Sequence, residues 1–186
     1  EQMTRGLVEY LADFAESGRE LVGREAEFSV RVDRAELRGT ADRVERVRGG
    51  DGREEFLVID LKTGKTAPGG SALDEHAQLQ AYQFGVLSGG FDAHVGSAGA
   101  ALVFVHPGAL RARDGEYSLR AQQPLSPETR VEFGERVAAA VRVMAAGAFT
   151  ARVEHHCSDE HSPGGACRLH IIPAVSAGCA SQDTPR

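Results

Sequence analysis

Hydrophobic positions recur along this chain with two periods, and the switches between them outline its elements. Over residues 4–18 (TRGLVEYLADFAESG), Leu7, Leu11, Phe14 and Ala15 fall at helical spacing, with Thr4 placed to cap the helix and Gly18 to end it. Residues 25–32 (EAEFSVRV) alternate instead. Ala26, Phe28, Val30 and Val32 mark one face and mostly polar residues the other, the pattern of a half-buried strand. A second strand is expected over 36–47 (ELRGTADRVERV), interrupted at Gly39. A third is expected over 55–62 (EFLVIDLK), whose run from Phe56 to Ile59 is apolar throughout, as in a central strand buried on both faces. The intervening RGGDG at 48–52 is a turn by composition.

TGKTAPGGSALDE then reads as a loop, and 74–88 as a helix with Asp74 at its N-cap and Leu79, Tyr82, Gln83 and Val86 on one face. Residues 99–105 (GAALVFV) predict a buried strand and 116–121 (EYSLRA) an edge strand. A long helix is expected over 126–147, with Ser126 as cap, Pro127 at the first helical position, and Val131, Val137, Val141 and Met144 supporting it. From about Thr150 the periodicity disappears and Gly, Ser, Pro, His and Cys take over, which predicts an irregular tail. The order is helix, three strands, helix, two strands, helix, an α/β arrangement: one domain over 1–150 and a tail over 151–186.

Composition narrows this. The 186 residues are 41% hydrophobic and 26% charged, which suits one globular domain. No apolar run approaches the roughly 18 residues that span a bilayer, so no membrane is expected. No signal peptide is visible, and a start at Glu1 rather than Met reads as a piece of a longer polypeptide. The net charge of -6, from 27 acidic and 21 basic side chains, is unlike a self-sufficient DNA-binding domain, which needs basic groups to neutralise phosphates. Concentrated carboxylates do suit a metal site. Three cysteines, all in the tail, form no disulfide framework and point to a reducing cytoplasm or the remains of a metal site.

The candidate chemistry lies in GTADRVE (39–45), with Asp42, and VIDLKTGK (58–65), with Asp60 and Lys62. Residues two apart on a strand share a face, so Asp60 and Lys62 project together from the end of an otherwise apolar strand. Burying both costs several kcal/mol unless they are paired or bind a metal. If the second and third strands form a hairpin around RGGDG, Asp42 lies across from Asp60, and a divalent cation would remove the repulsion between the two carboxylates. Such a site suits phosphodiester hydrolysis: Mg²⁺ or Mn²⁺ held by carboxylates, with an ammonium to orient water and offset charge. Asp-x-Lys alone reads as an exposed ion pair at a strand end. Asp42 on the preceding strand and the QLQAYQ helix that follows make the site reading the stronger one. The Lys65 side chain, in TGK, is placed to contact a DNA backbone or to sit in a mobile loop; TGK lacks the upstream Gly of a phosphate loop. His94 and His106 read as structural, and nothing beyond paired carboxylates supports a glycosidase.

GTADRVE, VIDLKTGK and HAQLQAYQ, in that order, resemble the RecB-like branch of PD-(D/E)XK nucleases, found at the C-terminus of bacterial helicase–nucleases of the RecB, AddAB and AdnAB types. The resemblance covers about residues 20–150. It implies a restriction-endonuclease-like core, a central mixed β-sheet flanked by helices, with Asp42 and Asp60 as metal ligands and Lys62 as the catalytic lysine. Gln78 and Tyr82 match a Q-x-x-x-Y helix that lines the site. The partners implied are DNA, as a single strand fed by an ATP-driven helicase motor in double-strand break repair, the helicase domains of the parent chain, and a second helicase–nuclease subunit.

Two departures qualify the match. The family often has a His ligand upstream, and no His precedes His76 here; Glu25 is an alternative acidic group, although a solvent-facing Glu is the simpler reading. Some members hold an iron–sulfur cluster on one upstream and three clustered Cys. Cys157, Cys167 and Cys179 are separated by nine and eleven residues, a spacing that fits neither such a cluster nor, with the neighbouring His, a zinc site. The missing His leaves a second reading open: a catalytically inactive module that docks a partner subunit or guides a DNA strand.

Overall fold

The structure, a computed structural model, describes residues 1–111 and 114–146. Their elements are α1 (Gln2–Glu16), β1 (Glu20–Val32), β2 (Ala35–Arg48), β3 (Glu54–Lys62), α2 (Ser71–Asp74), α3 (Ala77–Leu87), β4 (Gly96–Phe104), β5 (Ser118–Gln122) and α4 (Pro127–Met144). The strands form one sheet in the order β1-β2-β3-β4-β5, antiparallel except for the parallel pair β3/β4. That pair needs a crossover, which α2 and α3 supply. The result is the mixed sheet flanked by helices that the sequence predicts.

Alternation along the strands divides the core in two. Phe28, Phe56, Val58, Leu102 and Phe104 pack with Leu79, Tyr82 and Val86 of α3. Ile59, Ala101, Val103 and Val105 pack on the opposite side, with Tyr10 of α1. β3 and β4 are therefore covered on both faces, which explains their near-continuous apolar runs.

Several boundaries differ from the sequence reading, each for a physical reason. α1 has Glu1, not Thr4, at its N-cap, and it ends at Ser17, after which Gly18 adopts a positive φ of 71°. Its inward line is Gly6 and Tyr10, whereas Leu11 is 40% exposed. Gly6 sets this roll: a Cβ there would lie 2.4 Å from the Glu116 carbonyl oxygen, so only glycine lets the helix approach this closely. β1 begins at Glu20, because a register shift between Leu21 and Gly23 hides the alternation of its first turn of pleat.

Asp74 closes the short α2 rather than capping α3, whose N-cap is His76. Its carbonyl instead accepts the side-chain amides of Gln80, at 3.0 Å, and Gln122, at 2.9 Å. Ser126 caps α4 as expected, accepting from the Thr129 amide. The buried anchor of α4 is Phe133, packed on Phe84, while Val131 and Met144 are exposed. One compact unit runs from Glu1 to Ala145. The tail over 151–186, its cysteines and the domain boundary at 150 lie outside the described residues. No described helix is long and apolar enough to cross a membrane.

The packing yields a stability prediction. Leu79→Ala removes a fully buried side chain at the α3–sheet interface and should destabilise by about 3 kcal/mol. Leu119→Ala, on a side chain 44% exposed, should change stability by less than about 0.5 kcal/mol in the same chemical denaturation assay.

Candidate active site

β2 and β3 are paired from Arg48↔Glu54 to Arg43↔Ile59, and no further. Beyond that pair β2 continues back to Ala35 beside β1 alone, while β3 runs on to Lys62 beside β4. The sheet therefore forks, and the next residue on each side of the fork is Asp42 and Asp60. The turn at 49–52 fixes this register, with Gly49 donating to the Arg53 carbonyl at 2.8 Å. The parting strands leave the Leu61 amide without a strand partner on the β2 side, and Asp42 Oδ2 accepts it at 2.7 Å. A side chain thus takes the place of a ladder hydrogen bond and fixes the Asp42 carboxylate against β3.

Asp60 is 3% exposed on the α3 side of the sheet. Its Oδ1 accepts the Gln78 side-chain amide at 2.7 Å and lies 3.0 Å from the Tyr82 hydroxyl. Gln78 and Tyr82 are one helical turn apart on α3, and Gln78 Nε2 also lies 2.8 Å from the Tyr82 oxygen. Lys62 Nζ stands 2.6 Å from Asp60 Oδ2 and donates to Gln78 Oε1 at 3.2 Å. Asp60 Oδ2 is nonetheless buried without a well-aligned hydrogen bond, its charge opposed only by the ammonium.

Burial, and after it the negative charge of Asp60, push the Tyr82 hydroxyl well above the ordinary tyrosine range. Tyr82 therefore stays protonated and acts as a donor, not a base. Its single proton goes either to Asp60 or to the Thr40 carbonyl at 3.1 Å.

The donor set suits a hard divalent cation. Asp42 and Asp60 offer carboxylate oxygens at one fork, one of them lacking a hydrogen bond. Among the described residues no cluster of three or more His, Cys, Asp or Glu converges. Two carboxylates with the remaining positions left to water and phosphate match the habits of Mg²⁺ better than the closed nitrogen and sulfur shells of zinc.

Asp42, Asp60, Lys62, Gln78 and Tyr82 are thus brought together. Lys65 is not: it is exposed in the loop after β3, beside Gly108. Glu25 lies on β1 across from Asp42, between the pairs Arg24↔Arg43 and Ala26↔Ala41. It is exposed, and among the described residues its side chain makes no hydrogen bond or ion pair. Its φ of +48° is a left-handed conformation that a residue with a Cβ rarely adopts, a backbone irregularity beside the fork. The Thr40 carbonyl is a member of the site that sequence reading missed, since no side-chain pattern signals a main-chain acceptor.

A sequence profile described as the PD-(D/E)XK nuclease superfamily matches residues 1–167. No curated protein matches. Among solved structures, the chain is similar to the crystal structure of SSO0001, at 19% identity and a TM-score of 0.39, covering 74% of this chain and 57% of that one. The chain thus spans a little over half the length of that protein.

Tyr82→Phe tests the arrangement around Asp60. It deletes one hydroxyl that meets a buried carboxylate, with no change in helix propensity of consequence. The loss should be about 1.5–3 kcal/mol of stability, the usual worth of a hydrogen bond to a charged group, read from denaturant midpoints. A loss within about 0.5 kcal/mol would mean that water replaces the hydroxyl.

Proposed function

The chain belongs to the PD-(D/E)XK nuclease superfamily, a membership that implies nuclease activity, and from that premise we propose that Asp42, Asp60 and Lys62 form the centre of a metal-dependent deoxyribonuclease. The observation that carries this reading is the meeting, at one fork in the sheet, of a buried Asp60, the Lys62 ammonium 2.6 Å from it, and Asp42 from the next strand. Superfamily members generally use divalent metals such as Mg²⁺ or Mn²⁺. Asp42 and Asp60 would hold that ion, which when bound acidifies water and offsets charge on the phosphoryl group.

The chain's own groups do the rest. Gln78 donates to Asp60 Oδ1, with the Tyr82 hydroxyl 3.0 Å from the same oxygen, and so orients the carboxylate, leaving Oδ2 without an aligned hydrogen bond. The Leu61 amide does the same for Asp42. Lys62 orients the attacking water and balances the negative charge that builds up on the scissile phosphate. The water oxygen forms the new P–O bond and loses a proton to solvent, while the bond to the departing sugar oxygen breaks and that oxygen takes up a proton from solvent to leave as a hydroxyl. Lys65, exposed nearby in sequence, would meet the strand's backbone, and Glu25 would supply a further carboxylate only if β1 moved it toward the fork.

The wider setting is part of the same proposal: a module of an ATP-dependent helicase–nuclease of the RecB-like branch, acting in the cytoplasm on double-strand break ends. The ordered motifs GTADRVE, VIDLKTGK and HAQLQAYQ support it. So does the charge, because an acidic domain binds DNA weakly and gains from a motor that delivers single strands at high local concentration. A helicase domain of the parent chain and a second helicase–nuclease subunit are the partners it requires. A non-cutting module that docks a partner or guides a strand is the second reading, favoured by the lack of a third metal-binding side chain among the described residues.

Three measurements decide. Single-stranded DNA with Mg²⁺ or Mn²⁺ should be cut, EDTA should stop it, and Asp60→Ala should abolish it in a folded protein; an Asp60→Ala variant that cuts like the parent removes the assigned site. Lys62→Ala should keep Mn²⁺ binding while cleavage falls on the order of a hundredfold. Cleavage of long duplex DNA should be faster for the full assembly with ATP than for the assembly without ATP or for the domain alone. Equal rates in all three would make this a free-standing nuclease, and failure to take up Mn²⁺ would favour the non-cutting module.

A further inference from the structure

Beneath the fork, on the α1 side of the sheet, lies a charged cluster that the cleavage chemistry does not use. Glu45 is fully buried. Its Oε1 accepts the Tyr10 hydroxyl at 2.7 Å and Arg43 Nε at 2.5 Å, and Arg19 Nη1 stands 2.8 Å from Oε2. The guanidinium of Arg43 lies 4.1 Å from the centre of the Phe14 ring, and that of Arg19 lies 5.6 Å from it. Two guanidinium groups, one carboxylate and a phenol are thus enclosed between α1 and β2.

Such a cluster is a poor source of stability. Desolvating the ions offsets most of their attraction, and apolar residues of similar volume would serve a helix–sheet contact as well. Its position gives it another role. Arg43 is the last residue of β2 paired with β3, and Asp42 is the first beyond the fork. Ala41 and Arg43 are two apart and would share a face of a regular strand. Ala41 instead packs in the α3-side core, while Arg43 is drawn to Glu45 on the α1 side. Alternation therefore breaks at Asp42, across from the left-handed Glu25 of β1. With Arg43 held down, Asp42 stands on the opposite face, the face of Asp60.

We infer that Glu45, through Arg43, is a positioning residue that fixes the phase of β2 at the fork and so aims the Asp42 carboxylate. This rests on the reading of Asp42 as a metal ligand. Groups that orient a ligand without touching the ion typically change metal affinity 10- to 100-fold when removed.

Glu45→Gln keeps the shape and removes the charge; Arg43→Lys keeps the charge and loses the planar fork of donors. Phe133→Leu, in the α4 contact, serves as a variant that loses stability elsewhere. The folded fraction of each is read in two ways: Mn²⁺ titration, and the amide resonance of Leu61, which reports its bond to Asp42 without any metal. Glu45→Gln and Arg43→Lys should each bind Mn²⁺ at least about tenfold more weakly and shift the Leu61 resonance, and Phe133→Leu should do neither. If both cluster variants match Phe133→Leu, or if neither folds while Phe133→Leu does, the cluster serves folding alone and the inference falls. Asp42→Asn separates the two layers. If it binds Mn²⁺ like the parent, the ligand reading of Asp42 fails, while the Leu61 resonance still tests whether Glu45 positions it.

Discussion

Everything at the candidate site depends on the parting of β2 from β3 beyond their sixth residue pair, Arg43↔Ile59. A continuous ladder would have satisfied the Leu61 amide with a carbonyl and turned Asp42 into an ordinary strand residue. Because the strands diverge, the part-buried Leu61 amide needs another acceptor, and the Asp42 carboxylate provides it. The same divergence leaves room for α3 to lay Gln78 and Tyr82 against Asp60, with the Tyr82 hydroxyl reaching Thr40 on the departing strand. Two acidic side chains that would be a liability in a closed sheet thereby become the reason the opening is stable.

The electrostatics follow from that geometry. Asp60 is nearly inaccessible to water, so each donor around it matters more than it would at the surface. Its two oxygens are treated unequally: Oδ1 receives an amide and faces a hydroxyl, whereas Oδ2 has an ammonium nearby and no aligned donor. The inequality gives the carboxylate a direction. Tyr82, held protonated by burial and by that carboxylate, cannot compete as an anion. On the other side of the sheet Glu45 is treated in a similar way: Oε1 accepts from Tyr10 and Arg43, while Oε2 has only the Arg19 guanidinium nearby and no aligned donor.

Much of this was legible in the sequence, because it follows from short-range periods. Two-residue alternation puts Asp60 and Lys62 on one face, RGGDG sets the hairpin that opposes Asp42 to Asp60, and a four-residue step joins Gln78 to Tyr82. The parts that escaped depend on distant partners. The buried line of α1 follows from Gly6 meeting Glu116, a contact with no local signature, so Leu11 looked like core and is not. Asp74 has the composition of a helix cap, but Gln80 and Gln122 engage its carbonyl instead. Glu45 reads as one more polar strand residue; its burial depends on Tyr10, 35 positions away. In the sequence Glu25 stands out only for its acidity, whereas what distinguishes it in the fold is its backbone conformation.

The side-chain contacts at the fork have a modest reach along the chain: 19 residues from Asp42 to Leu61, 18 from Asp60 to Gln78, 22 from Asp60 to Tyr82. The bonds that fasten the end of α1 reach much further, 107 residues from Glu9 to Glu116 and 104 from Asp13 to Tyr117. The entropy cost of closing a loop grows with the logarithm of its length, about 0.6 kcal/mol for each doubling. Releasing α1 therefore returns more chain freedom per broken contact than opening the fork does. The fork's own side-chain bonds therefore close short loops within the segment from Thr40 to Tyr82, whereas those of α1 close loops of more than a hundred residues.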